Sequence, residues 1–240
     1  MIIYKGESKR LKNNVSEQEL DKFNRLSQDW WDRNGSMKSL HDINPLRLAY
    51  VKHQASIKGK KILDVGCGGG ILTEKIVQEG AAITGIDASK EMIALAEQHA
   101  QESGLDIRYI RTNVENLHTI ITDKFDVILC MELIEHVPDY RSVIRACKKL
   151  LNPNGTIIFA TINRNYLSFV LAIICAEYIM GLLPKGTHHY NLFIKPDELS
   201  SACAEVGLTK VNITGFSYNP VFREYYFCKN ALVNYLACYR

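Results

Sequence analysis

From residue 61 to residue 162, short apolar runs alternate with amphipathic stretches. Residues 61–65, 82–86, 125–131 and 156–162 are mostly apolar runs rich in Ile, Val and Leu, and 107–111 is a further candidate. Runs of that length bounded by Gly, Asp or Asn read as strands buried on both faces. Between them, 71–79, 89–103 and 139–151 place apolar residues at helical spacing, as at Met92, Ile93, Leu95 and Ala96. Asn152-Pro153-Asn154-Gly155 is turn chemistry. Strand and helix alternating across short loops predict a mostly parallel sheet with helices on both faces and right-handed crossovers.

The flanks differ. Residues 1–15 are polar. A helix is expected over 16–32, with Ser16 as N-cap and Glu19 three residues on. A second is expected from Asn44-Pro45 to about residue 56, with the proline in its first turn. Beyond the fifth strand, 163–194 is mostly one apolar block with a basic tail. A helix over 196–206, strands over 208–216 and 223–228, and a short helix over 230–239 complete the reading, for seven strands in all. This divides the chain into an N-terminal helical arm, 1–56, and an α/β domain, 57–240, carrying the apolar insert.

Composition narrows the class. With 240 residues, 47% of them hydrophobic and 23% charged, the chain is neither disordered nor a polytopic membrane protein. The formal charge is +3 and the basic residues are scattered, so no nucleic-acid partner is expected. Seven cysteines without a C-x-x-C pair suit free thiols in a reducing cytosol. Met1 to Asn14 has no apolar core of a secretory signal.

The strongest local signal is Ile62-Leu63-Asp64-Val65-Gly66-Cys67-Gly68-Gly69-Gly70-Ile71, a strand running into a glycine turn that opens a helix. Ligands of open α/β sheets sit at such strand ends. Ile71 stands where the third glycine of a dinucleotide fingerprint belongs. Asp64-x-Gly66-x-Gly68-x-Gly70 resembles instead the motif of methyltransferases that use S-adenosylmethionine (SAM). Asp87 ends the second strand, where a ribose is held by its hydroxyls. Val114 could pack on an adenine, and Asn113 or Glu115 could touch it or simply cap a helix. Met131 ends the fourth strand, facing the methyl-donor cleft.

Glu132, Glu135 and His136 follow that strand within five residues. His136, with Glu132, suits proton removal from a phenol, because its ordinary pKa is near neutral. Equally, two carboxylates and an imidazole could hold a hard divalent ion such as Mg2+. As a third alternative, Glu135 and His136 cap the next helix.

Together these motifs resemble the ubiquinone biosynthesis O-methyltransferase family. The resemblance rests on Trp30-Trp31, Ile43-Asn44-Pro45-Leu46-Arg47, the glycine motif, Cys130-Met131-Glu132, Glu135-His136-Val137-Pro138, Asn163-Arg164-Asn165 and Pro184-Lys185-Gly186-Thr187-His188. It implies a Rossmann-like class I methyltransferase fold and SAM-dependent O-methylation of polyprenylated catechols at two steps of ubiquinone synthesis. It implies SAM contacts at Arg47, Gly66, Asp87 and Met131, to which the residues add Asp64, Gly68 and Val114. In eukaryotic relatives the positions of Glu132, Glu135 and His136 are assigned to Mg2+. Other enzymes of the pathway become candidate partners. A non-catalytic SAM- or lipid-binding accessory protein, or a methyltransferase of another phenol, is the competing reading.

The insert fits that picture. Residues 166–183 are apolar or aromatic except Ser168, Glu177 and Gly181. An internal acid and a length below about 20 residues make a poor spanning helix. Arg164 before it and Lys185, His188 and His189 after it suit a membrane-facing lid over 163–194 that touches lipids through 166–183. The expected location is cytoplasmic, peripheral to the inner face of the membrane.

Overall fold

The computed structural model describes residues 14–170, 190–219, 221–222 and 224–240. Its element order is α1 (Glu17–Leu26), α2 (Lys38–Gln54), β1 (Lys61–Val65), α3 (Ile71–Gln78), β2 (Ala82–Asp87), α4 (Lys90–Glu102), β3 (Arg108–Arg111) and α5 (Val114–Leu117). There follow β4 (Phe125–Met131), α6 (Tyr140–Leu150), β5 (Leu151–Ile162), α7 (Pro196–Glu205), β6 (Lys210–Asn219), β7 (Glu224–Cys228) and β8 (Asn234–Tyr239).

Eight strands form one sheet in the order β3-β2-β1-β4-β5-β8-β6-β7. β1 to β5 pair in parallel. β8 runs antiparallel between β5 and β6, and β7 pairs antiparallel with β6. The apolar runs show no strict polar alternation because successive residues enter two different cores. Leu63, Val65, Ile128, Cys130 and Phe159 pack under α5, α6 and α7, while Ile62, Val127, Leu129 and Ile158 pack under α2 and α3. Strand order reverses between β1 and β4, which opens a crevice at their carboxyl ends.

Three expectations are corrected. Residues 234–239 form a strand, not a helix, and bring the count to eight; Tyr235, Ala237 and Tyr239 fill one core while Leu236 and Cys238 fill the other. The second helix begins seven residues before Pro45 and carries it internally. Burial of Met37 against Trp30 and of Ile43 against the sheet favours those first turns. Asn152–Gly155 is not a free turn but an irregular stretch within β5, where Asn154 takes a left-handed backbone (φ 60°). The apolar insert, from residue 171 to residue 189, lies outside the described residues, as do Lys185, His188 and His189.

Candidate active site

The crevice leads into a cavity of about 510 Å³, within the range that holds cofactor-sized ligands. Arg47, Asp64, Gly66, Gly68, Asp87, Val114, Met131, Glu132 and His136 all line it. Glu135 does not.

β1 and β2 supply the first two carboxylates. Asp64 is buried at the end of β1, and Thr73 Oγ1 donates to its Oδ2 at 2.7 Å. Burial pushes its carboxyl up to about 6, against that hydrogen bond and the Arg47 charge. Asp87 accepts the backbone N–H of Gly68 at 3.0 Å and that of Ser89 at 2.8 Å. Burial also raises its carboxyl, and the three backbone N–H groups of Ser89, Gly68 and Ala88 oppose the rise. The acid that faces the cavity therefore also ties the glycine turn to β2.

The glycines are needed for space as much as for backbone freedom. Gly68 sits at φ +54°, and a Cβ there would fall 2.5 Å from the Trp30 ring. At Gly66, φ +72°, a Cβ would meet Leu133 at 3.0 Å. Left-handed backbone of this kind suits glycine alone at low cost. In sequence Trp30 stands out only within the Trp30-Trp31 pair of the family resemblance; it proves to be a wall of the cavity. Its Nε1 is buried without a hydrogen-bond partner, whereas Trp31 Nε1 donates to Gly69 O at 3.0 Å.

Opposite, β4 ends in Met131 and turns through Glu132, a non-glycine residue at φ 53°. Such a backbone costs on the order of 1–3 kcal/mol and persists where its surroundings fix it. Arg47, from α2, reaches Glu132 with Nη2 3.2 Å from Oε1. Arg47 Nε and Glu132 Oε1 are buried and make no hydrogen bond. Val114 is buried and lines the same cavity. Asn113 caps α5 through the N–H of Asn116, and Glu115 Oε1 accepts from Asn14 Nδ2 at 2.5 Å, so the polar neighbours of Val114 are engaged in structure.

His136 faces the cavity from the far side. Its Nδ1 lies 2.7 Å from Oε2 of Glu19, on α1, and Phe23 stands edge-on to its ring at 5.3 Å. Burial would raise the Glu19 carboxyl; the hydrogen bond and charge of His136, with Lys22, overcome this and bring it to about 2. In sequence Glu19 was visible only as part of a helix cap. It does accept that role's geometry, since its backbone N–H donates to Ser16 Oγ, but its side chain turns to a partner 117 positions away.

The metal expectation does not fit. Glu132 faces Arg47, His136 faces Glu19, and Glu135 Oε2 accepts from Thr161 Oγ1 at 2.9 Å inside the core. Burial, then the charge of Glu132, pushes the Glu135 carboxyl well above the ordinary range. Among the described residues no three His, Cys, Asp or Glu side chains converge as a metal site. The capping alternative fails too, because α6 is capped by Asp139.

Residues 63–159 match the family described as methyltransferase domain. A protein of Pasteurella multocida named ubiquinone biosynthesis O-methyltransferase is 48% identical, over 95% of this chain and 98% of its own length. Proteins of the same name from Chromobacterium violaceum and Nitrosococcus oceani are 47% and 49% identical, over 95% and 93% of this chain and 98% and 95% of theirs. The chain belongs to the ubiquinone biosynthesis O-methyltransferase family. Among solved structures, magnesium protoporphyrin IX methyltransferase from Synechocystis with bound SAH superposes with a TM-score of 0.67 at 19% identity, covering 91% of this chain and 96% of that one. A SAM-dependent methyltransferase from Thermotoga maritima gives 0.65 at 14% identity, over 92% and 98%. These two share the Rossmann-like methyltransferase fold. In this member of the family, Asp64, Asp87 and Glu132 stand at or just beyond strand ends, Arg47 stands on α2, and His136 stands against the N-terminal helix.

Proposed function

We propose that this chain transfers the methyl group of SAM to a phenolic oxygen of polyprenylated catechol and demethylubiquinol intermediates in ubiquinone biosynthesis. The observation that carries the reading is one cavity, at the switch point of the sheet, that gathers Arg47, Asp64, Asp87, Val114, Met131 and Glu132 with a histidine. The unpartnered Arg47 Nε suits the carboxylate of the methionine part, because a guanidinium forks onto carboxylates. Buried Asp64 and half-buried Glu132 suit its ammonium group. Asp87 suits the ribose hydroxyls, and Val114 the adenine face.

SAM supplies an electrophilic methyl group on a positively charged sulfur. The chain's part is alignment, desolvation and removal of a proton. Gly66 and Met131, at the ends of β1 and β4, leave room for an in-line approach of the acceptor oxygen. Holding two reactants in line supplies about 7–11 kcal/mol in well-oriented cases. His136 takes the phenolic proton, with Glu132 as a second carboxylate of the same cavity, and the phenolate is the stronger nucleophile. No step is routed through a metal ion.

The polyprenyl chain brings the acceptor from a bilayer. Tyr166 and Leu167, at the start of the apolar insert, are exposed, as are Val221 and Phe222 at the tip of the β6–β7 hairpin. They support a peripheral, cytoplasmic enzyme that rests on the membrane surface through 166–183. No helix among the described residues is long and apolar enough to cross a membrane. Flotation with liposomes tests this: the full chain floats, and a chain lacking 166–183 stays in the dense fraction. Equal flotation sinks the membrane reading.

The activity is tested with methyl-labelled SAM and a polyprenylated catechol. Wild type forms the methyl ether, and His136→Ala loses about 10²- to 10⁴-fold in turnover, as removal of a general base does. Unchanged turnover of His136→Ala at every pH removes the base assignment.

A further inference from the structure

We infer that Glu19 is a positioning residue for His136: its carboxylate, carried in on the N-terminal helix, holds the imidazole by Nδ1 and so fixes the ring that takes the acceptor's proton. The inference rests on the reading of His136 as the base.

The pair has the geometry of an oriented base. Nδ1 and Oε2 are 2.7 Å apart, and the two side chains are 9% and 12% exposed. In a histidine, a hydrogen bond at one ring nitrogen fixes which nitrogen carries the proton and stabilises the imidazolium that forms after transfer. The ring is held from a second side by Phe23, edge-on at 5.3 Å. The carboxylate is itself held, since Lys22 Nζ lies 3.1 Å and 3.3 Å from its two oxygens. His136 is fixed at the backbone by its N–H to Leu133 O at 2.9 Å.

The helix that brings Glu19 is pinned at its entry. Asn14 Nδ2 donates to Glu115 Oε1 and to Asp139 O, and its Oδ1 accepts the backbone N–H of Asp139 at 2.7 Å. Further along, Ser89 Oγ donates to Asn24 Oδ1 at 2.6 Å. No residue of α1 is buried by itself, so the helix is held chiefly by these polar links and by half-buried Phe23 and Leu26. The base is therefore complete only when α1 is docked on the cavity.

The test uses the full chain in five forms: wild type, Glu19→Gln, Glu19→Asp, His136→Ala and the double variant Glu19→Gln/His136→Ala. Glu19→Gln keeps an acceptor and removes the charge. It is expected to lower kcat roughly 10- to 100-fold, less than loss of the base itself, with SAM Kd and acceptor KM within about threefold of wild type. Glu19→Asp is expected to restore part of kcat. Glu19→Gln combined with His136→Ala is expected to be no slower than His136→Ala alone, because residues acting as a unit are not additive. If Glu19→Gln keeps wild-type kcat while His136→Ala is impaired, the positioning role fails and the base survives. If Glu19→Gln loses SAM affinity as strongly as kcat, Glu19 is a strut of the arm and the inference fails. If His136→Ala turns over normally, the reading of the base fails and takes this inference with it.

Discussion

The cavity has two walls of different construction. One is the sheet: Asp64, Asp87 and Met131 sit at the ends of parallel strands whose residues are buried on both faces. The other is the arm: Glu19, Phe23 and Trp30 belong to a segment in which α1 buries no residue fully and Trp30 is the exception beyond it. The first wall cannot move without opening the two main cores. The second can lift by breaking a few hydrogen bonds and one small apolar cluster around Trp30, Met37, Ile71 and Met92. A cofactor site on the fixed wall and a base whose partner rides on the movable one would couple closure to proton removal.

Hydrogen exchange should break or sharpen this contrast most strongly. Amides of β1 and β4 should exchange only with global unfolding, and those of α1 through local opening, at least about 10³-fold faster. Equal protection of α1 and β4 would make the arm as fixed as the sheet.

Asp64 comes next. Its carboxyl is raised to about 6, so in the folded protein the charged form is costly above that pH, and the cost fades as pH falls toward the ordinary carboxylate value. Asp64→Asn should therefore be more stable than wild type by up to about 3 kcal/mol at pH 8, with the difference vanishing near pH 4. The same variant should bind SAM at least about tenfold more weakly. Denaturant unfolding at several pH values and calorimetric titration read the two effects; a variant less stable at pH 8 would reverse the sign and refute the burial argument.

Gly68→Ala strikes the joint between the walls. The added Cβ meets Trp30 and the backbone stays left-handed, so a loss of about 1–3 kcal/mol in stability and a weaker SAM complex are expected. An unchanged unfolding midpoint would mean that Trp30 moves aside freely. The smallest effect belongs to Asn14→Ala, which removes the pin at the start of α1. About 1 kcal/mol or less of docking is lost, read as faster exchange in α1 with β4 unchanged.

The parallel half of the fold was legible because most of its strands are buried apolar runs, and the chemistry of Asp64, Gly66, Gly68 and Asp87 is local to the ends of β1 and β2. β8 was not legible. Asn234-Tyr235-Leu236-Ala237-Cys238-Tyr239 shows no alternation, because both of its faces enter cores, and Leu, Ala and Tyr serve a short helix equally well. Only pairing with β5 and β6 decides it. The pattern Glu132, Glu135, His136 suggested one cluster, yet Glu132 pairs with Arg47, Glu135 keeps Glu132 as a neighbour but bonds Thr161, and His136 turns away to Glu19. Glu19 carried no local signal, since its partner is fixed by the docking of a helix and not by spacing along the chain.

The central claim is methyl transfer at this cavity. Its most direct test is incubation of the full chain with methyl-labelled SAM and a polyprenylated catechol on liposomes, followed by location of the label in the product. The account expects the label as a methyl ether on the catechol oxygen. SAM bound without transfer, or a label found only on carbon, nitrogen or the protein itself, would contradict it.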